Sequence, residues 1–154
     1  MIFDIDGTLA DSFRLAFSAT NDVLVRNGYR EVTEDEYHFG TRFTTPVRLA
    51  THAGLSEDDD PDQFLVVGKK LGQEFDDLYI GLVDPAKQNA GFYPGIYDFI
   101  NSIPADVKVG ALTNAAVAYA EAVLQANGVR ERFSVVHGAD SVRKPKPAPD
   151  GLLQ

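Results

Sequence analysis

The sequence predicts an α/β fold in which a parallel β-sheet carries a block of helices inserted after its first strand. Short apolar segments with strand character lie near both ends of the chain, and each is followed by a segment with helical periodicity. The middle of the chain, residues 31–90, is acidic and has apolar positions at helical spacing but no β-rich segment. Because strands that alternate with helices normally pair in parallel, we expect the two ends of the chain to form one sheet.

The first elements follow from the opening residues. Residues 2–5 predict a short strand that ends at the sequence Asp-Gly-Thr, residues 6–8. A helix is expected from Phe13 to Asn27, because apolar residues recur there at helical spacing and Gly28 is a typical residue just after a helix end.

The inserted block is expected to contain three further helices. Thr33 and Glu36 have the spacing of a capping box, which predicts a helix start. Thr45-Pro46 predicts a second start with proline in the first helical position, and this helix should end near Gly54. A longer helix follows the acidic break at residues 56–61, and its apolar face is marked by Phe64, Val67, Leu71, Phe75 and Leu78.

The last third of the chain returns to alternating helices and strands. The sequence Phe-Tyr-Pro-Gly, residues 92–95, opens a short helix, and the alternating residues 107–112 predict a strand. Residues 115–127 predict an alanine-rich helix and residues 133–136 another strand. A basic, proline-rich loop follows, and residues 151–154 have the character of a first helical turn.

Composition excludes several classes of protein. Of 154 residues, 14 are basic and 23 acidic, a formal net charge of −9, which argues against a nucleic-acid backbone as the main partner. No apolar run is long enough to span a bilayer, so no membrane partner is expected. The absence of cysteine excludes disulfides, thiolate metal sites and cysteine nucleophiles. Acidic residues follow Met1 almost at once, without a signal peptide, so we expect a cytoplasmic protein, or an organellar one if the true start lies upstream.

The most informative segment is Asp-Ile-Asp-Gly-Thr, residues 4–8. Its two carboxylates, Asp4 and Asp6, point to the same side of a strand end, where parallel sheets bind ligands. They would repel each other unless a proton or cation is shared, and Mg²⁺ suits such oxygen ligands. A carboxylate can also attack phosphorus to give an aspartyl-phosphate. A calcium-binding loop is excluded because Leu9 and Leu15 occupy its glycine and glutamate positions, whereas a pair of solvated loop carboxylates stays an alternative.

Two other segments accompany this one in a recognisable order. Val-Gly-Ala-Leu-Thr-Asn, residues 109–114, is an apolar strand that ends in a hydroxyl residue, and Lys-Pro-Ala-Pro-Asp, residues 146–150, places a lysine in a proline loop. With residues 3–9, these segments resemble the first three motifs of the haloacid dehalogenase-like hydrolase superfamily. Residues 92–95 resemble the point where members with a helical cap return to the core. The resemblance implies a Rossmann-like core at residues 1–12 and 91–154 and an α-helical cap at residues 13–90.

The resemblance also implies a role for each motif residue. Asp4 would be the nucleophile and a metal ligand. Asp6 would protonate the leaving oxygen, activate the hydrolytic water and bind Mg²⁺ through its backbone carbonyl. Thr113 would hydrogen-bond the phosphoryl oxygens with help from the Asn114 backbone, and Lys146 would offset the negative charge around Asp4.

Other assignments are less determined by the motifs. Gly7 and Thr8 would contribute to substrate binding at the turn after Asp6. Lys144 also precedes a proline, but we favour Lys146 because its loop leads directly into the next helix start. Arg42 could present a cation to the substrate from the cap, although a simple surface arginine is at least as good an interpretation.

Asp6 narrows the activity within the superfamily. The dehalogenases of the superfamily generally lack a second aspartate, and its transport ATPases have threonine at the position of Asp6. The resemblance therefore implies a Mg²⁺-dependent phosphatase, similar to phosphoglycolate phosphatases, that acts on a small phosphorylated metabolite under a helical cap. The alternative is a phosphoryl transferase similar to phosphoglucomutases.

The fourth motif of the superfamily, an acidic segment after the lysine loop that supplies further metal ligands, has no counterpart before Gln154. Asp140 does not replace it, because that residue precedes the lysine. We therefore expect a core that is incomplete at its C-terminus, with impaired activity. A second hypothesis is a non-catalytic fragment that serves as a binding module.

Overall fold

The chain forms two compact units. The structure is a computed structural model and describes residues 1–84, 86 and 89–153. The core unit comprises Met1–Phe13 and Leu82–Gln154, and the helical unit comprises Arg14–Gly81. We expected the helical block to extend to residue 90. The helical unit instead ends with its last helix at Gly81, and the chain from Leu82 onward groups with the core unit.

The core unit is built on a three-stranded parallel sheet. Its strands are β1 (Ile2–Phe3), β2 (Val109–Leu112) and β3 (Phe133–His137), in the spatial order β1-β2-β3. Ile2 pairs with Gly110, which in turn pairs with Val135. The predicted parallel α/β core is therefore confirmed.

Helices and short turns complete the core unit. Helix α5 covers Ile96–Ser102 and helix α6 covers Val117–Ala126, while 3₁₀ turns cover Arg130–Arg132 and Pro149–Leu152. The helix start predicted at residue 151 therefore lies two residues after the observed start at Pro149, and the turn has 3₁₀ geometry; Gln154 lies outside the described residues.

Strand β1 is shorter than its sequence predicts. The carbonyl oxygen of Ile5 accepts hydrogen bonds from the backbone N–H groups of Thr8, Leu9 and Ala10. These bonds curl the chain into a tight turn, and Gly7 has a φ of 69° within it. The strand thus ends at Phe3, and Asp4 begins the turn.

The helical unit contains α1 (Phe13–Arg26), whose first residue belongs to the core unit, α2 (Glu34–Gly40), α3 (Thr45–His52) and α4 (Pro61–Gly81). The predicted capping box is present: the Glu36 N–H donates to the Thr33 hydroxyl, and the Thr33 N–H donates to the Glu36 carboxylate. The N-cap of α3 is Thr44 rather than Thr45, so the proline lies at the second helical position.

Close packing of α3 on α4 depends on glycine. A Cβ on Gly68 would lie 2.6 Å from the Pro46 carbonyl oxygen, and one on Gly72 would lie 3.3 Å from the Pro46 ring. Small residues at these positions let the two helix backbones approach each other. None of the helices in the described part of the chain is long and apolar enough to cross a membrane.

Candidate active site

The sequence-predicted residues of the core unit gather at the carboxyl ends of β1 and β2. The chain leaves β1 at Asp4 and leaves β2 at Thr113. Because these strands are parallel neighbours, both residues lie at the same edge of the sheet.

Asp4 and Lys146 form an ion pair at this edge. The Lys146 Nζ atom lies 2.7 Å from the Asp4 Oδ2 atom. The Ile5 N–H donates to the other carboxylate oxygen of Asp4 at 2.8 Å. Lys144, in contrast, is exposed and has no ion pair among the described residues. The geometry thus places Lys146, of the two candidate lysines, beside Asp4.

The Asp6 side chain accepts hydrogen bonds from two hydroxyl groups that no sequence motif predicts. Its Oδ1 atom accepts hydrogen bonds from the Ser12 hydroxyl at 2.6 Å and from the Tyr119 hydroxyl at 2.8 Å. Tyr119 is fully buried in α6. A tyrosine among the apolar residues of an alanine-rich helix needs a partner for its hydroxyl when it is buried, and this was the one available signal in the sequence.

Thr113 and Asn114 form the loop that follows β2. Thr113 is 2% exposed, and its hydroxyl accepts a hydrogen bond from the Ala115 N–H at 3.0 Å. The Asn114 side-chain NH₂ donates to the Lys146 carbonyl at 3.2 Å. The Asn114 Oδ1 atom is buried and has no hydrogen-bond partner among the described atoms. Asn114 therefore connects the loop after β2 to the lysine loop.

The loop after β3 forms hydrogen bonds with the loop after β2 and with the start of α6. The Asp140 carboxylate accepts a hydrogen bond from the Val117 N–H, the first residue of α6, at 2.9 Å. The Ala139 N–H donates to the Ala115 carbonyl, also at 2.9 Å. A Cβ on Gly138 would lie 2.5 Å from the Val117 nitrogen, so only glycine fits between these segments. Asp140 acts here as a helix cap.

Three further predicted residues take different positions. Gly7 and Thr8 are exposed in the turn that follows Asp6. Arg42 belongs to the helical unit, where its Nε–H donates to the Phe39 carbonyl and its guanidinium lies 4.0 Å from the Phe39 ring centre. The structure thus gives Arg42 local partners in the helical unit.

The atoms of this site that could bind a cation are carboxylate and carbonyl oxygens. Within residues 1–84, 86 and 89–153, no group of three or more His, Cys, Asp or Glu side chains could hold a metal ion. The Asp4 carboxylate and the Asp6 backbone carbonyl are nevertheless suitable in kind. Mg²⁺ is commonly bound by one or two carboxylates, with water and substrate phosphate as the other ligands.

Fold and site together define a class of protein. This is a parallel α/β core in which an aspartate follows the first strand, a hydroxyl residue follows the second, and a lysine returns from a later loop to the aspartate. The family described as haloacid dehalogenase-like hydrolase matches residues 1–154, and the chain belongs to this family.

Individual relatives agree with this assignment. The chain is 30% identical over 157 residues to the phosphoglycolate phosphatase of Rhodobacter capsulatus, covering 97% of this chain and 66% of that protein. It is also 30% identical over 154 residues to the N-acetylmuramic acid 6-phosphate phosphatase of Pseudomonas aeruginosa, covering 99% and 64%.

Solved structures show the same fold. A haloacid dehalogenase-like hydrolase from Bacteroides fragilis superposes with a TM-score of 0.79 at 24% identity, covering 99% of this chain and 68% of that one. The chain spans 64–66% of the length of the curated relatives it matches.

Proposed function

We propose that the chain forms the nucleophile-bearing core and the cap of a Mg²⁺-dependent phosphatase. The enzyme would hydrolyse a small phosphorylated metabolite through an aspartyl-phosphate intermediate. The observation that carries the proposal is the ion pair between Asp4 and Lys146 at the carboxyl edge of the sheet. An aspartate at this edge, with a cation fixed beside it, can act both as a nucleophile and as part of a phosphate site.

The first chemical step belongs to Asp4. One carboxylate oxygen of Asp4 attacks phosphorus as the bond between phosphorus and the ester oxygen breaks. Lys146 would balance the negative charge that gathers on the phosphoryl oxygens, and the Thr113 hydroxyl would donate a hydrogen bond to one of them. Asn114 would hold the lysine loop in register through the bond from its side-chain NH₂ to the Lys146 carbonyl.

Proton transfer belongs to Asp6. The protonated carboxyl of Asp6 would give its proton to the departing ester oxygen, which leaves as an alcohol. The Asp6 carboxylate would then take a proton from the water that attacks the aspartyl-phosphate. That second attack releases inorganic phosphate and restores Asp4.

Mg²⁺ would be held by the Asp4 carboxylate and the Asp6 backbone carbonyl, together with water and the phosphoryl group. When bound, the ion supplies positive charge that lets an anionic carboxylate approach an anionic phosphate. This requirement is pronounced in a chain whose formal net charge is −9.

The helical unit would serve as a cap that contributes to substrate choice. The relatives named above act, by their names, on phosphoglycolate and on N-acetylmuramic acid 6-phosphate, which are small phosphate monoesters. We propose the same chemical class as substrate, with Arg42 as a candidate contact to the part of the molecule that does not react.

The test is Mg²⁺-dependent release of phosphate from p-nitrophenyl phosphate and from a panel of alkyl monoesters that includes these two compounds. It should be carried out with the 154-residue chain and with the longest product of its gene. Asp4→Asn should abolish turnover and the covalent phosphoryl adduct seen by mass spectrometry after acid quenching. Asp106→Asn, which changes an exposed aspartate of the same unit, is the matched control.

The proposal predicts turnover in at least one of these two forms and none after chelation of the metal. Folded protein that releases no phosphate from any monoester in either form would refute it. Turnover that survives Asp4→Asn would refute the covalent mechanism.

A further inference from the structure

We propose that Tyr119 is a positioning residue for the proton transfer carried out by Asp6, an inference that rests on the proposed function. The Tyr119 hydroxyl donates a hydrogen bond to the Asp6 Oδ1 atom at 2.8 Å. The two residues are 113 positions apart in the sequence, so the contact is made by the tertiary fold. Tyr119 reaches the carboxyl group assigned to general acid and base catalysis from α6.

The burial of Tyr119 indicates that this contact is built into the core. The side chain has 0% relative exposure and is the largest of the fully buried side chains. A hydroxyl buried at that depth is stable only with a hydrogen-bond partner, and here Asp6 supplies one. Truncating the ring would leave a cavity, whereas removing the hydroxyl alone separates the hydrogen bond from the packing.

Two hydroxyl donors to the Oδ1 atom constrain the orientation of the Asp6 carboxyl group. The Ser12 hydroxyl approaches Oδ1 at 2.6 Å from the chain just after the first motif, and the Tyr119 hydroxyl approaches the same atom from α6. Two donors from different directions restrict rotation about the Cβ–Cγ bond. A proton donor needs such a restriction, because its rate depends on correct alignment with the departing oxygen.

The position of Tyr119 is itself fixed by the loops of the site. Helix α6 begins two residues earlier at Val117, whose N–H is capped by the Asp140 carboxylate. The loop that carries Thr113 and Asn114 leads directly into this helix. The start of α6 thus fixes the positions of two residues. These are Thr113, whose hydroxyl is expected to bind the phosphoryl group, and Tyr119, which orients the proton donor Asp6.

The step affected is transfer of the carboxyl proton of Asp6 to the ester oxygen. As the phosphorus–oxygen bond breaks, the proton moves to that oxygen, the alcohol departs, and Asp6 is left as a carboxylate. Tyr119 keeps its own proton and acts through Asp6. The effect of Tyr119 on the rate should therefore depend on how strongly the leaving oxygen requires protonation.

The decisive variant is Tyr119→Phe, assayed for kcat/KM with two kinds of substrate. An alkyl phosphate from the panel needs a proton on its leaving oxygen, whereas p-nitrophenol departs readily as an anion. We expect kcat/KM to fall about tenfold for the alkyl phosphate and by no more than about twofold for p-nitrophenyl phosphate, since Ser12 still holds Asp6 in the variant. Tyr97→Phe, which removes an exposed hydroxyl from the same unit, should change neither value.

A double-mutant cycle with Asp6→Asn distinguishes positioning from a structural role. In the Asp6→Asn background, Tyr119→Phe should no longer change the ratio of the two kcat/KM values. A purely structural role would lower the midpoint of thermal unfolding and reduce both activities by the same factor. Equal losses on both substrates, or an undiminished effect of Tyr119→Phe without Asp6, would overturn the proposal.

Failure of this inference is distinguishable from failure of the proposed function. Wild-type turnover that requires Mg²⁺ and Asp4, with a substrate ratio unmoved by Tyr119→Phe, refutes the role of Tyr119 alone. A wild-type protein that is inactive in both chain lengths refutes both.

Discussion

Acidification should destabilise the helical unit through a single buried histidine. His52, the last residue of α3, is 6% exposed and stacks on the Tyr37 ring at 6.3 Å between ring centres. Burial, and after it the neighbouring positive charge of Arg48, lower the pKa of His52 to about 4. The His52 Nε2 atom has no hydrogen-bond partner among the described atoms, and a Cβ on Gly40 would lie 2.6 Å from it.

The sign of the effect follows from this depressed pKa. The unfolded chain binds a proton at His52 with the ordinary pKa of 6.5, whereas the folded chain resists protonation until the pH approaches about 4. The contribution of neutral His52 to the free energy of unfolding is therefore fully present above pH 6.5 and is lost as the pH falls from 6.5 towards 4. The difference between the pKa values of His52 in the unfolded and folded chain corresponds to about 3 kcal/mol of unfolding free energy. Of this, about 2 kcal/mol should be lost between pH 7 and pH 4.5.

Urea unfolding of the whole protein at pH 7 and pH 4.5 measures this loss. Carboxylates elsewhere also titrate in this range, so the informative quantity is the difference between the wild type and His52→Gln, which cannot be protonated. His52→Gln should be less stable at pH 7 but should lose about 2 kcal/mol less than the wild type on acidification. His38→Gln, at an exposed position of α2, should retain the wild-type loss. The same acid-induced loss in the wild type and His52→Gln would refute the assignment.

Three other changes test the site, each read by activity in the phosphatase assay. Gly138→Ala should lower kcat at least tenfold and destabilise the core unit by about 1–3 kcal/mol, since its Cβ would collide with the Val117 nitrogen at the start of α6 and with the Ala115 carbonyl oxygen. Unchanged activity and an unchanged unfolding midpoint would contradict this expectation. Lys146→Met should lower kcat/KM at least about 100-fold, whereas Lys144→Met should change it by no more than about twofold. A larger loss in Lys144→Met than in Lys146→Met would assign the proposed catalytic role to Lys144. Arg42→Ala should alter the ranking of alkyl phosphates more than the rate on p-nitrophenyl phosphate, and an unchanged ranking would leave Arg42 as a surface residue.

The sequence was most informative where a local pattern decides the structure. The alternation in residues 107–112 predicted β2, and the spacing of Thr33 and Glu36 predicted a capping box that is present. The extent of β1 could not be read in the same way. Whether Asp4 and Ile5 continue the strand depends on three hydrogen bonds to the Ile5 carbonyl, which form only when the turn folds back on itself.

The motif residues were predictable, but their supporting contacts were not. Asp4 and Lys146 could be paired in advance because the resemblance to the superfamily implied that Lys146 offsets the charge around Asp4, and the structure places the two side chains in an ion pair. Tyr119, by contrast, lies in an alanine-rich helix whose sequence is typical of plain core packing. The order of the motifs excludes Asp140 as a metal ligand and predicts no other role for it. Their partners, Asp6 and the Val117 N–H, are chosen by how α6 packs on the sheet, which no local pattern encodes.

The exposure of the Asp4–Lys146 pair argues that it serves chemistry more than stability. The Lys146 and Asp4 side chains are 29% and 40% exposed, and pairs with such access to water contribute little to folding. The lysine is nevertheless fixed by a second contact, because Asn114 binds its backbone carbonyl. Because its backbone is fixed by Asn114, the Lys146 ammonium group could exchange the Asp4 Oδ2 atom for a phosphoryl oxygen at little cost in conformational entropy. Under the proposed function, exchange of that kind would free the nucleophilic oxygen as the negative charge arrives, and it would help a chain of net charge −9 to accept a phosphate monoester.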